Sequence, residues 1–204
     1  MNITQIKKFI HALPMNHAIL LGGNHGLGKS EVVKQCALEM EQILGEPAGF
    51  VDFRLSQNDV GDLRGLPFLV GGQTYYAPPT WYPIREDDYN VLSEAMKAAG
   101  LMLQAFNTCK YGILFLDEFN RATREVLQCA FELVLDRRLN GLSIPDGWRV
   151  VAAVNDDADI YIVNEWEPAL LSRFFKTDFR PNFDEWAAFA KHKVDGSALP
   201  AETY

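Results

Sequence analysis

The sequence predicts an α/β domain built on a mostly parallel sheet of five strands with helices on both faces. Three observations predict it. Short apolar strand patterns recur at AILLG (18–22), GFVDFRL (49–55), YGILFLDE (111–118) and WRVVAAVN (148–155). Stretches with apolar residues at helical spacing separate them. A glycine-rich loop, GNHGLGKS (23–30), stands directly between the first strand and the first long helix. Apolar strands joined through helices belong in a parallel sheet covered on both sides.

Helix 4–12 opens the order and stops before Pro14. Strand 18–22 follows, then helix 29–44 with Val32, Val33, Cys36, Ala37 and Met40 on one side, ended by Gly45 and Pro47. After strand 49–55, residues 56–88 read as irregular, with a hairpin in FLVGGQTYYAP turning at Gly71-Gly72. Helix 89–108 carries Leu92, Ala95, Met96, Ala99, Met102, Leu103 and Phe106 at helical spacing. Strand 111–118, helix 122–136, a turn at Asn140-Gly141 and strand 148–155 come next. A short helix at 168–174, strand FKTDF (175–179) and helix 182–192 complete the pattern, and DGSALPAETY shows no clear element.

Composition narrows the function. A chain of 204 residues, 48% hydrophobic and 23% charged, can bury one sizeable core and has a soluble balance. No run approaches the eighteen apolar residues of a membrane span, and the start lacks the apolar core of a secretory signal. The net charge of -8, with no basic run, argues against nucleic acid as a partner. Cys36, Cys109 and Cys129 form neither a CxxC pair nor a metal spacing, which suits reduced thiols in a cytoplasmic protein.

The glycine loop fits G-x-x-x-x-G-K-S, between a strand and a helix. Its backbone N–H groups can surround phosphate oxygens, helped by the helix dipole. The phosphate-binding segment is Gly23, Asn24, His25, Gly26, Leu27, Gly28, Lys29, Ser30 and Glu31. Lys29 would reach the β and γ phosphates of ATP, and Ser30 would hold Mg2+. His25 reads as a loop-surface residue.

Asp117 and Glu118 end an apolar strand, where ligands of parallel sheets bind. Asp117 would face the Mg2+ shell and Glu118 would polarise the attacking water, although an acidic pair there also suits a helix start. Asn155 ends another strand, as an amide for the water or γ-phosphate or as a plain turn residue. Arg173, in PALLSRF, would reach a neighbour's γ-phosphate in a ring; otherwise it is solvated or salt-bridged. Arg121 and Arg124 are weaker candidates for that role, while Arg137 and Arg138 read as interface or surface. YYAPPTWYP (75–83) reads first as local packing and second as a partner-binding loop. Asp156, Asp157, Glu165 and Glu167 read as acidic surface.

GNHGLGKS, VDFRLSQNDVGDLRG, ILFLDEFNRA, RVVAAVND and EWEPALLSRFF occur in the order seen in AAA+ ATPases, which the chain resembles over about residues 16–190. DEFNRA with LLSRF points to the MoxR-like and midasin-like group. The resemblance implies a P-loop NTPase three-layer sandwich with its five strands in the order 5-1-4-3-2. It matches Lys29 and Ser30 to the Walker A pair, Asp117 and Glu118 to Walker B, Asn155 to sensor 1 and Arg173 to the arginine finger. It further implies ATP and Mg2+ between subunits of a homo-oligomeric, usually hexameric ring that hydrolyses ATP and remodels a client protein. The loop reads NHGLG where many relatives carry proline. Residues 1–192 then form the ATP-binding core, and 193–204 a tail or the start of a helical lid. The alternatives are a nucleotide-gated interaction module with little turnover, a P-loop kinase, and a DNA-acting loader or helicase.

Overall fold

The computed structural model describes residues 1–102, 107–155 and 171–195. Nine strands and six helices occur among these residues. The first helix, α1 (Ile3–Ala12), is opened by Asn2, whose side chain accepts from the Gln5 amide while the Gln5 side chain accepts from the Asn2 amide. This reciprocal cap satisfies two amides at the helix start. Strand β1 (Ala18–Gly22) is buried throughout, as a central strand must be. The helix α2 (Lys29–Leu44) ends at Gly45 in the left-handed conformation, its N–H bonded to the Glu41 carbonyl.

Strand β2 (Ala48–Arg54) leads into a segment more ordered than the sequence suggested. A single 3-10 turn and the short helix α3 (Val60–Arg64), capped by Asp59, occupy what read as irregular chain. Strands β3 (Leu66–Val70) and β4 (Gln73–Ala77) then form the expected hairpin about Gly71 and Gly72. The aromatic stretch packs inward in part: Tyr82 is fully buried and Trp81 lies 4.4 Å from the Phe53 ring.

The helix expected at 89–108 is α4 (Glu86–Ala98) and stops ten residues early. Gly100 takes a positive φ of 70°, and the Gly100 and Leu101 amides turn back onto the Lys97 and Met96 carbonyls. A glycine-terminated stop of this kind ends a helix whatever apolar spacing comes next. Residues 103–106 lie outside the described chain.

Strand β5 (Tyr111–Asp117), helix α5 (Arg124–Leu135), the two-residue strands β6 (Arg138–Leu139) and β7 (Leu142–Ser143), and β8 (Gly147–Val154) come after it. The Asn140-Gly141 turn joins β6 to β7 with positive φ at both residues. Strand β9 (Phe174–Asp178) begins where the short helix was expected still to run, because Phe174 pairs with Ala18 in the sheet. Most of that expected helix, with Asp156, Asp157, Glu165 and Glu167, lies outside the described residues. The final helix, α6 (Phe183–Asp195), starts one residue late and runs past residue 192.

The five-stranded sheet has the order β2-β5-β8-β1-β9 and is parallel throughout. Counting these five strands in chain order, this is 5-1-4-3-2. Alternate strand residues point to opposite faces. Leu20, Leu114, Leu116, Val150 and Ala152 meet α3, α4 and α5 on one side. Ile19, Leu21, Ile113, Phe115, Val151 and Ala153 meet α1 and α2 on the other. The result is the three-layer sandwich of a P-loop NTPase.

Two tight packings hold the sheet's lower end. The Trp148 indole lies over Gly49 and Gly112, where an added Cβ would come within 2.6 Å and 2.7 Å of ring carbons, so neither position tolerates a side chain. Two arginines bind the connector between α1 and β1. Fully buried Arg149 donates to the Leu13 and Pro14 carbonyls, and Arg137 donates to the carbonyls of Met15, Pro145 and Trp148. Arg137 is therefore an internal brace, whereas Arg138 is exposed. Burial, reinforced by the Arg137 charge, pulls Arg149 down to about 10. Arg149→Met is expected to lower stability by roughly 2–4 kcal/mol, because it removes the charged donor of the Leu13 and Pro14 carbonyls and with it the tie between β8 and the α1–β1 connector. A reduced urea midpoint at unchanged m-value is the measurement that checks it.

Candidate functional site

The parallel register brings three strand ends to one edge. Gly22 pairs with Val154 and Leu116 with Ala152, so the chain leaving β1, β8 and β5 emerges at the same level. The segments that emerge are the glycine loop, Asn155, and Asp117-Glu118.

The loop's shape depends on its glycines. A Cβ on Gly23 would sit 2.9 Å from the Phe179 carbonyl oxygen, where β9 closes against the loop. Gly28 caps α2 at a φ of 87° and presents no side chain there. Asn24, His25 and Gly26 are exposed and Leu27 is half-buried against the core. His25 thus lies on the loop surface, as the sequence suggested.

Lys29 is only 6% exposed. Its Nζ donates to the Gly23 carbonyl at 2.7 Å, the Asn24 carbonyl at 2.9 Å and Asn155 Oδ1 at 2.8 Å. An ammonium has three protons to give, and these three acceptors match them. The lysine therefore folds the loop about itself and ties it to the tip of the adjacent strand. Ser30 and Glu31, both half-buried, are the next two residues of α2.

Asp117 is the last residue of β5, and its Oδ1 accepts from the Glu118 amide at 2.8 Å. Glu118 adopts a left-handed backbone, φ 53°, uncommon for a residue with a Cβ. Its carboxylate accepts from Ser56 Oγ, just beyond β2. On β2 itself, burial and then the Asp117 charge push the Asp52 carboxyl above its ordinary range. The site edge is thus acidic on the β5–β2 side and cationic at the loop.

Asn120 was missed in the sequence. Its Oδ1 accepts from the Asn155 amide at 3.3 Å, and its Nδ2 donates to the Asn155 carbonyl at 3.1 Å. It thereby locks the chain after β5 to the chain after β8, while Asn155 reaches Lys29 on the other side. The one available signal was an amide two residues beyond the acidic pair.

Arg173 does not join this group. It is exposed in the turn before β9, and the pairing of Phe174 with Ala18 sets it at the opposite end of the strands. Five strand residues separate the two ends, about 16 Å. Arg121 and Arg124 are exposed beside the β5–α5 junction.

Next to the loop is a small cavity of about 100 Å³, lined by Ile3, Leu27, Gly28, Val32, Trp186 and Phe189 among others. Helix α6 is held over it from α1, since the Glu185 carboxylate accepts from the Ile3 and Thr4 amides and from Thr4 Oγ1.

Fold and strand order define the three-layer fold of a P-loop NTPase. Solved structures share it: a candidate ATPase of Cytophaga hutchinsonii aligns with a TM-score of 0.58 at 15% identity over 96% of this chain and 51% of that one. NtrX of Brucella abortus, solved with ADP, aligns with a TM-score of 0.51 at 14% identity over 97% of this chain and 41% of its own. The chain thus spans about half the length of the first and two fifths of the second. No family model matches the sequence, and no curated protein does. Among the described residues, no helix is long and apolar enough to cross a membrane.

Proposed function

We propose that this chain is the ATP-binding and ATP-hydrolysing core of an AAA+ machine of the MoxR-like or midasin-like group, acting on a protein client. The observation that carries the reading is the 2.8 Å contact between Lys29 and Asn155. It joins a phosphate-loop lysine to a polar strand tip beside an acidic pair.

The residues suit a magnesium nucleotide. The loop is a tight cradle at Gly23, and Ser30 with Asp117 offers the hard oxygen donors that Mg2+ prefers. Bound Mg2+ would neutralise charge on the phosphate oxygens. Lys29 would redirect one of its N–H bonds from a loop carbonyl to a phosphate oxygen and remain an ammonium. Gly23, Asn24, His25, Gly26, Leu27, Gly28 and Glu31 complete the loop around the phosphates. The Trp186–Phe189 side of the neighbouring cavity offers apolar surface for the base. Glu118 leaves Ser56 and accepts a proton from the attacking water, and Asn155 orients that water. Arg173, set away from its own site, serves a neighbour's in a hexameric ring. Residues 1–192 constitute the core, and residues 193–204 a tail or the start of a lid.

Asn120→Ala is expected to cut turnover about tenfold while changing ATP affinity little, because it releases the tip that carries Asn155 without touching the loop. Phosphate-release kinetics beside calorimetric titration separate the two effects. The whole reading is tested by sizing the protein with and without a nonhydrolysable ATP analogue, alongside phosphate release. Nucleotide-dependent assembly with phosphate release supports it; absence of ATP binding ends it. The Ser56 hold on Glu118 favours a second reading, a nucleotide-gated module that binds ATP and hardly turns over. That reading requires tight binding with no phosphate release at high protein concentration.

A further inference from the structure

On the face away from the strand tips, α1 and α2 bring together His11, Cys36 and Glu39. Their candidate ligand atoms all lie within 4.8 Å of one another. We propose that these three side chains form a zinc-type metal site, separate from the nucleotide site, that clasps α1 to the helix carrying Lys29.

The geometry is close to what such an ion needs. Bonds of about 2.0–2.3 Å in a tetrahedral shell place ligand atoms roughly 3.3–3.8 Å apart, so closing the cluster takes a movement of at most about 1.5 Å. His11 Nε2 already stands 3.0 Å from Glu39 Oε2. The other carboxylate oxygen, Oε1, accepts from Lys7 at 2.6 Å. Lys7 can therefore keep orienting Glu39 while Oε2 binds the ion, an outer-shell arrangement common at metal sites.

The donor set also selects the ion. One thiolate, one imidazole and one carboxylate suit a borderline-soft cation, whereas Mg2+ and Ca2+ call for oxygen throughout. Thiolate and carboxylate offset the two charges of the ion, and the Lys7 ammonium remains as the one net positive charge of the cluster. Cys36 is fully buried beneath the pair, and His11 and Glu39 face an open recess of about 600 Å³ also lined by Lys7, Lys8 and Gln42. The recess admits the ion and a water as fourth ligand. Zinc takes the thiolate, so binding at the fully buried Cys36 S–H releases its proton.

The test titrates the full chain, freed of metal, with Zn2+ by calorimetry and with Co2+ by absorbance. The expected result is one ion per chain at a Kd of roughly micromolar or tighter. A thiolate-to-cobalt band should accompany it. Millimolar Mg2+ should not compete. Zinc at a hundredfold excess over its Kd should raise Tm by roughly 5–10 °C. Cys36→Ser should abolish the cobalt band, and His11→Ala, at a part-exposed position that tolerates truncation, should weaken zinc binding at least tenfold. Lys29→Ala should leave zinc binding intact. No saturable binding overturns the proposal. So does a cobalt band unchanged in both Cys36→Ser and His11→Ala, which would put the ion on Cys109, Cys129 or the nucleotide site. If Cys36→Ser does not fold, unchanged zinc affinity in His11→Ala is by itself sufficient to overturn it.

Discussion

Lys29→Ala is expected to reduce ATP affinity by roughly tenfold to a hundredfold. The ammonium is buried at the base of the loop, with Gly23, Asn24 and Asn155 as its acceptors. A charge-assisted bond to phosphate in such a place is worth about 1.5–3 kcal/mol, and about 2.8 kcal/mol is a hundredfold. Alanine also leaves those three acceptors without their donor, so stability should fall by about 1–3 kcal/mol. Calorimetric titration at a temperature where a melt shows the variant folded separates the two losses. ATP affinity unchanged in folded protein would remove Lys29 from the site.

Glu118→Gln is expected to do the opposite: preserve binding within about twofold and slow phosphate release by about a hundredfold to ten-thousandfold. The substitution keeps size and shape, and the amide oxygen still accepts from Ser56 Oγ. Only the capacity to take a proton is lost. The left-handed backbone at Glu118 stays the same in both proteins, so the comparison isolates the chemistry. Single-turnover phosphate release measured beside nucleotide binding checks it. Retained turnover would pass the role of base to another group.

Much of this arrangement is legible without coordinates. AILLG, ILFL and RVVAAV are apolar enough to be central strands, and all three are buried as read. GNHGLGKS announces its own conformation, since its glycines are required where the backbone turns left-handed or passes close to Phe179. Elements bounded by weaker signals came out differently. The apolar spacing through Leu103 and Phe106 suggested a longer α4, but the Gly100 stop outweighed it. Helix α3 was hidden in a segment rich in turn formers, where its Asp59 cap served equally as a loop signal.

Partnerships across the fold were not legible. Nothing local distinguishes Asn120 from a helix-start amide, or Arg137 and Arg149 from surface arginines. His11 and Cys36 are twenty-five positions apart on different helices, so no ligand spacing appears in the chain.

What local sequence settled here is most of the elements and the shape of the glycine loop, because burial period, capping and glycine conformation act over a few neighbouring residues. The packed sheet alone decided which side chains meet: Lys29 with Asn155, Asn155 with Asn120, Glu118 with Ser56. Those contacts depend on strand order and register, which the long-range burial of both sheet faces imposes and which no short window of residues contains.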